Sequence, residues 1–219
     1  MQSQDLCDRL DAELDTAAYA DVDASANGLQ VGSGERAVEH VAFAVDAAVE
    51  TIERAAAADA DLLVVHHGLS WGGINRVTGH QYQRLSALFD HDLSLYVSHL
   101  PLDGHQKLGN AAGLADVLSL DAREPFGRLG GEFVGQRGRL PDGTTLEAIR
   151  ERLRPELDTG DESIQTLPFG PETVTGVTIG LTIVLWTALL PLGVSLFRRS
   201  RVTIERTDVD ADTPISGDD

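Results

Sequence analysis

Apolar positions along the chain change their period several times, and each change marks an element. Leu6, Leu10 and Leu14 recur four apart among charged residues over 2–14, which predicts an amphipathic helix. Val38 to Val45 predicts a strand, Ala47 to Ala58 an alanine-rich helix, and Asp61 to His66 a buried strand, together a βαβ unit. A helix over 80–90, a strand over 93–98 and a helix over 105–117 repeat the alternation. An α/β fold with a largely parallel sheet, flanking helices and right-handed crossovers follows. Residues 119–140 alternate in a less buried manner and predict antiparallel strands or a hairpin near the sheet edge. Thr144, three residues before Glu147, predicts a capped helix running to about Arg154, ahead of Pro155.

Two of the predicted strands end in residues that bind divalent cations. Leu62-Leu63-Val64-Val65 runs into His66-His67-Gly68, and Leu95-Tyr96-Val97 into Ser98-His99-Leu100-Pro101-Leu102-Asp103. Neutral imidazoles and a carboxylate suit zinc, iron, nickel or manganese, and adjacent histidines can address two neighbouring ions while a carboxylate bridges them. The same residues read equally as strand and turn caps: histidines bonded to nearby carbonyls, and Asp103 starting a helix. His99, a single histidine before Leu-Pro, reads as a supporting or core residue, and His40, His80, His91 and His105 read as surface residues. The stretch from Gly68 to Gly79 holds four glycines and Trp71 and predicts a loop over the strand ends. Trp71 reads as covering a ligand or as packing, the ordinary role of tryptophan.

These segments, with Asn27-Gly28-Leu29-Gln30-Val31-Gly32 upstream and Phe43-Ala44-Val45-Asp46 between them, resemble the Nif-three-like dinuclear metal-binding family, whose members are often labelled GTP cyclohydrolase 1 type 2 homologues. The similarity covers about residues 1–172. It implies that His66, His67 and Asp103 are ligands of a divalent metal ion. It also implies that metal-bound water attacks a small-molecule substrate, and that subunits assemble with one another or with a full-length paralogue. The family completes its two-ion site with a histidine and a glutamate from a late Gly-His-x-x-x-Glu segment, which this sequence does not contain. Two functions therefore compete: a metal-dependent hydrolase, and a non-catalytic metal-binding module, truncated or fused.

Composition narrows the setting. With 219 residues, 42% of them hydrophobic, there is room for one sizeable α/β domain and an appendage. The formal charge is −18, and Lys107 is the single lysine among 17 basic residues, a balance suited to a salt-rich cytoplasm. So acidic a surface repels nucleic acid, so no such partner is expected. Cys7 stands alone, which excludes a disulfide framework or a cysteine metal site. The opening Met-Gln-Ser-Gln-Asp has no signal-peptide character.

The last part changes in kind. Val174 to Phe197 carries no charge and is followed by Arg198, Arg199 and Arg201, which predicts a transmembrane helix over 174–197. The expected organisation is a metal-binding domain over 1–172, this helix, and an acidic tail over 198–219. The arginines favour their own side being cytoplasmic, but without an export signal the metal-binding domain is expected in the cytoplasm, tethered to the membrane by the helix.

Overall fold

The computed structural model describes residues 1–141, 144–157, 164–166, 168, 172–181 and 202–205. The chain divides into two compact units, Met1–Leu102 and a second that starts at Asp103. The first holds α1 (Ser3–Leu14), β1 (Gly28–Val31), β2 (Val41–Asp46), α2 (Val49–Ala57), β3 (Leu62–His67), α3 (Gly79–Asp90) and β4 (Ser94–Val97). A short helix, α4 (Leu100–Gly104), spans the boundary.

The first sheet has the order β1-β4-β3-β2. The predicted β-α-β-α-β alternation is present, and β2, β3 and β4 run parallel, with Val65 opposite both Ala44 and Val97. Both faces of β3 and β4 are covered, which is why their sequences read as unbroken apolar runs. Leu63, Val65, Leu95 and Val97 pack with Ile52 and Ala55 of α2 and Leu88 of α3. Leu62 and Tyr96 pack on the other side with Cys7 and with Leu6 and Leu10 of α1. A largely parallel sheet nevertheless describes only these three strands. β1 pairs with β4 in the antiparallel sense, because it enters from α1 on the far edge without a crossover helix.

The second unit contains α5 (Asn110–Val117), β5 (Asp121–Leu129), β6 (Glu132–Arg139), α6 (Leu146–Leu153), β7 (Gly176–Leu181) and β8 (Val202–Glu205). Its four strands lie in chain order and are all antiparallel. β5 and β6 form the predicted hairpin, but in this second sheet rather than near the edge of the first. Gly130 and Gly131 both take positive φ, 61° and 106°, as a tight hairpin turn whose twist matches its strands requires. β6 and β7 approach so closely at Gly135 that a Cβ there would collide with the Ile179 carbonyl. The N-cap of α6 is Thr145 rather than the predicted Thr144: its side chain accepts from the Ala148 N–H, while the Thr144 hydroxyl donates to the Pro141 carbonyl.

The predicted transmembrane helix does not begin where its charge-free run begins. Gly176–Leu181 is a strand between β6 and β8, with Val177 and Ile179 buried against α5 and α6. The remaining uncharged run, 182–197, lies outside the described residues. Most of the acidic tail over 198–219 lies outside them as well, apart from β8. Among the described residues no helix is long and apolar enough to cross a membrane.

Candidate metal centre

Parallel pairing carries the ends of β2, β3 and β4 to one edge of the first sheet, the usual place for a site in an open α/β sheet. His66 and His67 are the last two residues of β3. Asp46, the last residue of β2, stands opposite His67. The register that sets Val65 opposite Val97 brings His99, two residues past β4, level with His67. One ring nitrogen from each of His66, His67 and His99 lies within 4.8 Å of the others, and all three residues are half-buried. Ring centroids are 4.6 Å apart for His66 and His67, 4.9 Å for His66 and His99, and 5.8 Å for His67 and His99.

Each ring is held through its Nδ1. That of His66 lies 3.0 Å from the Ser98 carbonyl oxygen, that of His67 2.7 Å from Asp46 Oδ1, and that of His99 3.0 Å from Asp23 Oδ1. A carbonyl and two carboxylates can only accept, so in each neutral imidazole the proton sits on Nδ1 and the lone pair on Nε2. This orienting hydrogen bond is the arrangement that metal-ligating histidines use, and it raises the basicity of the ligating nitrogen. The donor set therefore fits a divalent ion of the zinc, iron, nickel or manganese type.

Asp23 anchors the site from the loop before β1. Burial pushes its carboxyl up, but hydrogen bonds from His99, Asn27 and the backbone N–H groups of Ser25 and Leu100 outweigh that and hold it down at about 2. It is thus an anion at any working pH, which keeps the His99 proton on Nδ1. Asn27 also accepts from the His99 backbone N–H at 2.8 Å. The turn after His67 is equally constrained: Gln30 Oε1 accepts from the Leu69 N–H at 2.6 Å, and a Cβ at Gly68 would meet Val97 at 2.6 Å and Gln30 at 2.7 Å. Any larger residue there would have to push both side chains aside.

Of the three predicted ligands, the structure brings His66 and His67 together. It adds His99, which the sequence reads as a supporting residue. The signal that identifies His99 is the parallel register of β3 and β4. Asp103 is not in this histidine group; it sits in α4, is 2% exposed, and accepts from Asn110 Nδ2 at 2.7 Å through Oδ1. His40, His80 and His91 are exposed as predicted. His105 is half-buried instead, because its Nδ1 accepts from the Leu108 N–H to close the turn between α4 and α5. Trp71 does not pack into the core: it is 50% exposed and stands edge-on to His99 at 4.5 Å and beside His67 at 6.0 Å.

Known proteins share this arrangement of sequence. A relative from Halobacterium salinarum named GTP cyclohydrolase 1 type 2 homolog is 51% identical over 179 residues, 82% of this chain and 70% of that protein. A namesake from Pyrococcus abyssi is 38% identical over the same shares. Among solved structures, TTHA1606 of Thermus thermophilus superposes with a TM-score of 0.62 at 38% identity, over 71% of this chain and 61% of that one. The ybgI protein, described as of unknown function, gives 0.69 at 29% identity, over 81% and 68%. The chain thus spans between three fifths and about seven tenths of the length of these relatives. The model of the Duf34/NIF3 (NGG1p interacting factor 3) family matches residues 1–180, and the chain belongs to that family.

Proposed function

We propose that the chain binds a divalent metal ion through His66, His67 and His99, with Asp103 as a further ligand on the strength of the motif that carries it. We propose further that it acts as a metal-dependent hydrolase on a small substrate. The observation that carries the metal reading is the set of three acceptors, the Ser98 carbonyl, Asp46 and Asp23, that fix the tautomer of all three clustered imidazoles. Strand ends bonded to solvent would not need a dedicated carboxylate for two rings out of three. A bound ion would supply Lewis acidity and lower the pKa of a water. The chain's own part is to hold the three rings with their lone pairs on Nε2 and to keep Asp23 ionised behind His99.

The name shared by the relatives, GTP cyclohydrolase 1 type 2 homolog, makes GTP the first compound to assay. The decisive measurement is metal per chain by elemental analysis, on protein purified in high salt. Wild type is compared with the double variant His66→Ala/His67→Ala and with Asp103→Asn. Stoichiometric metal in wild type and none in the double variant is the expected result; reduced metal in Asp103→Asn extends the ligand set to that residue. No metal in wild type sinks the proposal. Turnover of GTP or a phosphoester by the loaded wild type separates an enzyme from a metal-binding module without chemistry, the alternative function.

A further inference from the structure

The loop beyond the histidines differs from the rest of this acidic chain. Asp and Glu make up 35 of its 219 residues, yet none lies between Asp61 and Asp90. Burial of β3 accounts for the first part of that gap. It does not account for 71–80, where every residue is exposed. That segment presents Trp71 at 50%, Ile74 at 44% and Val77 at 47% exposure, and the cation Arg76. An exposed apolar and cationic loop on a chain of net charge −18 is a local reversal of its surface chemistry.

Trp71 is also fixed in place. Its backbone forms a bridge with Ser25, and the Gly72 N–H donates to the Ala24 carbonyl at 2.8 Å. The same short segment supplies Asp23 and Asn27, which hold His99. One turn thereby sets both the indole and a metal-binding imidazole, and the indole, edge-on to His99, keeps half its surface open to solvent. Gly72 and Gly73 follow at positive φ, 72° and 104°, and a Cβ at either would meet no residue beyond its own chain neighbours within 4 Å, so the backbone that follows the indole is uncrowded. A tryptophan serving only to pack would not be left half bare on an anchored backbone.

We infer that Trp71 is the stacking residue for the planar heteroaromatic ring of an anionic substrate, in chemical class a nucleotide, with Arg76 on the same loop supplying the charge that meets its phosphates. A π-face on an anchored backbone selects for a flat ring at little entropic cost, and an acid-free loop admits phosphate where the rest of the surface repels it. This assignment rests on the metal-centre reading above and names the substrate class of that centre.

The test uses the full chain in high salt, loaded with zinc or manganese. Metal per chain is measured first, then affinity for GTP, for ATP and for inorganic triphosphate by calorimetry. Wild type is expected to bind the nucleotides at least about tenfold more tightly than triphosphate, the increment that stacking of one base provides. Trp71→Ala is expected to lose that preference while keeping its metal content, its melting temperature and its affinity for triphosphate; Trp71→Phe is expected to retain most of it. Equal affinity of wild type for nucleotide and triphosphate overturns the assignment, as does a Trp71→Ala variant that keeps the wild-type preference. Wild type that holds no metal overturns the reading of the centre itself, a result visible before any nucleotide is added.

Discussion

Asp46 and Asp23 do the same job for two rings of the cluster at very different depths. Asp23 is 2% exposed in its side chain and accepts three further hydrogen bonds, from Ser25 and Asn27 of its own loop and from Leu100, so replacing it would disturb the loop as well as His99. Asp46 is 53% exposed and touches His67 through one carboxylate oxygen at 2.7 Å. It therefore isolates the effect of orienting a ligand from the effect of folding. Asp46→Ala is expected to leave the melting temperature within about 2 °C of wild type, since surface substitutions of this kind cost little. It is also expected to weaken metal binding about 10- to 100-fold, the usual consequence of removing the partner of a ligating imidazole. Titration against a chelator of known affinity reads this directly. Unchanged affinity would mean that His67 is not a ligand, or that its ring is held by packing alone.

Among the elements, the junction of β2 and β3 shows how the sheet is locked at its lower end. Asp61, one residue before β3, accepts from the backbone N–H groups of Glu39 and His40, just ahead of β2, and pairs with Arg36 at 3.1 Å. The two backbone hydrogen bonds are the main cause of a carboxyl pKa lowered from 3.8 to about 2, with Arg36 adding to them against the opposing effect of burial. Because the native state binds the proton more weakly than the unfolded chain, the stabilisation is complete above about 4 and disappears as pH falls through about 2. With the side chain 20% exposed, it is worth about 1–2 kcal/mol at neutral pH. Asp61→Asn should lower the unfolding free energy by that amount at pH 7, and the two proteins should converge between pH 4 and 2; a constant difference across that range would assign the effect to lost packing. Elements whose pattern is set by burial, such as β3 and β4 with both faces covered, were legible in the sequence, and so was the placing of His66 and His67 at a strand end. β1 was not, since four residues that include Gln30 show no period, and its pairing depends on a strand sixty-six residues later. His99 was missed for a related reason: its meaning comes from the register between two strands, which no single run of residues carries. β7 was masked by composition. Val177 and Ile179 alternate with Thr178 and Gly180, but in a run with no charges a period of two is hard to tell from a continuous apolar helix.

For the whole molecule the governing quantity is charge. Its 17 basic residues cannot neutralise 35 acidic ones, and the net charge of −18 is repulsive in every compact state. Ion pairs such as Arg54 with Glu50, Arg123 with Asp116 and Arg137 with Glu124 recover part of that, at distances of 2.8, 2.6 and 2.6 Å, but they lie at or near the surface and each contributes well under about 1 kcal/mol. Salt acts on both. It weakens the pairs and it screens the repulsion, and the sign of the net effect follows from which is larger. With so many acids unmatched the repulsion is the larger, and shrinking the screening length from about 10 Å at 0.1 M to about 3 Å at 1 M removes most of it. The melting temperature is therefore expected to rise by roughly 5–10 °C between 0.1 and 1 M sodium chloride, corresponding to a few kcal/mol for a chain of this size. Screening then saturates, whereas the strengthening of apolar burial by excluded salts continues to grow with concentration and is greater for sulfate than for chloride. Melting curves in the two salts at matched ionic strength separate these causes: coincident rises below 1 M identify charge screening, and a rise seen with sulfate alone would place the stabilisation in the apolar core instead.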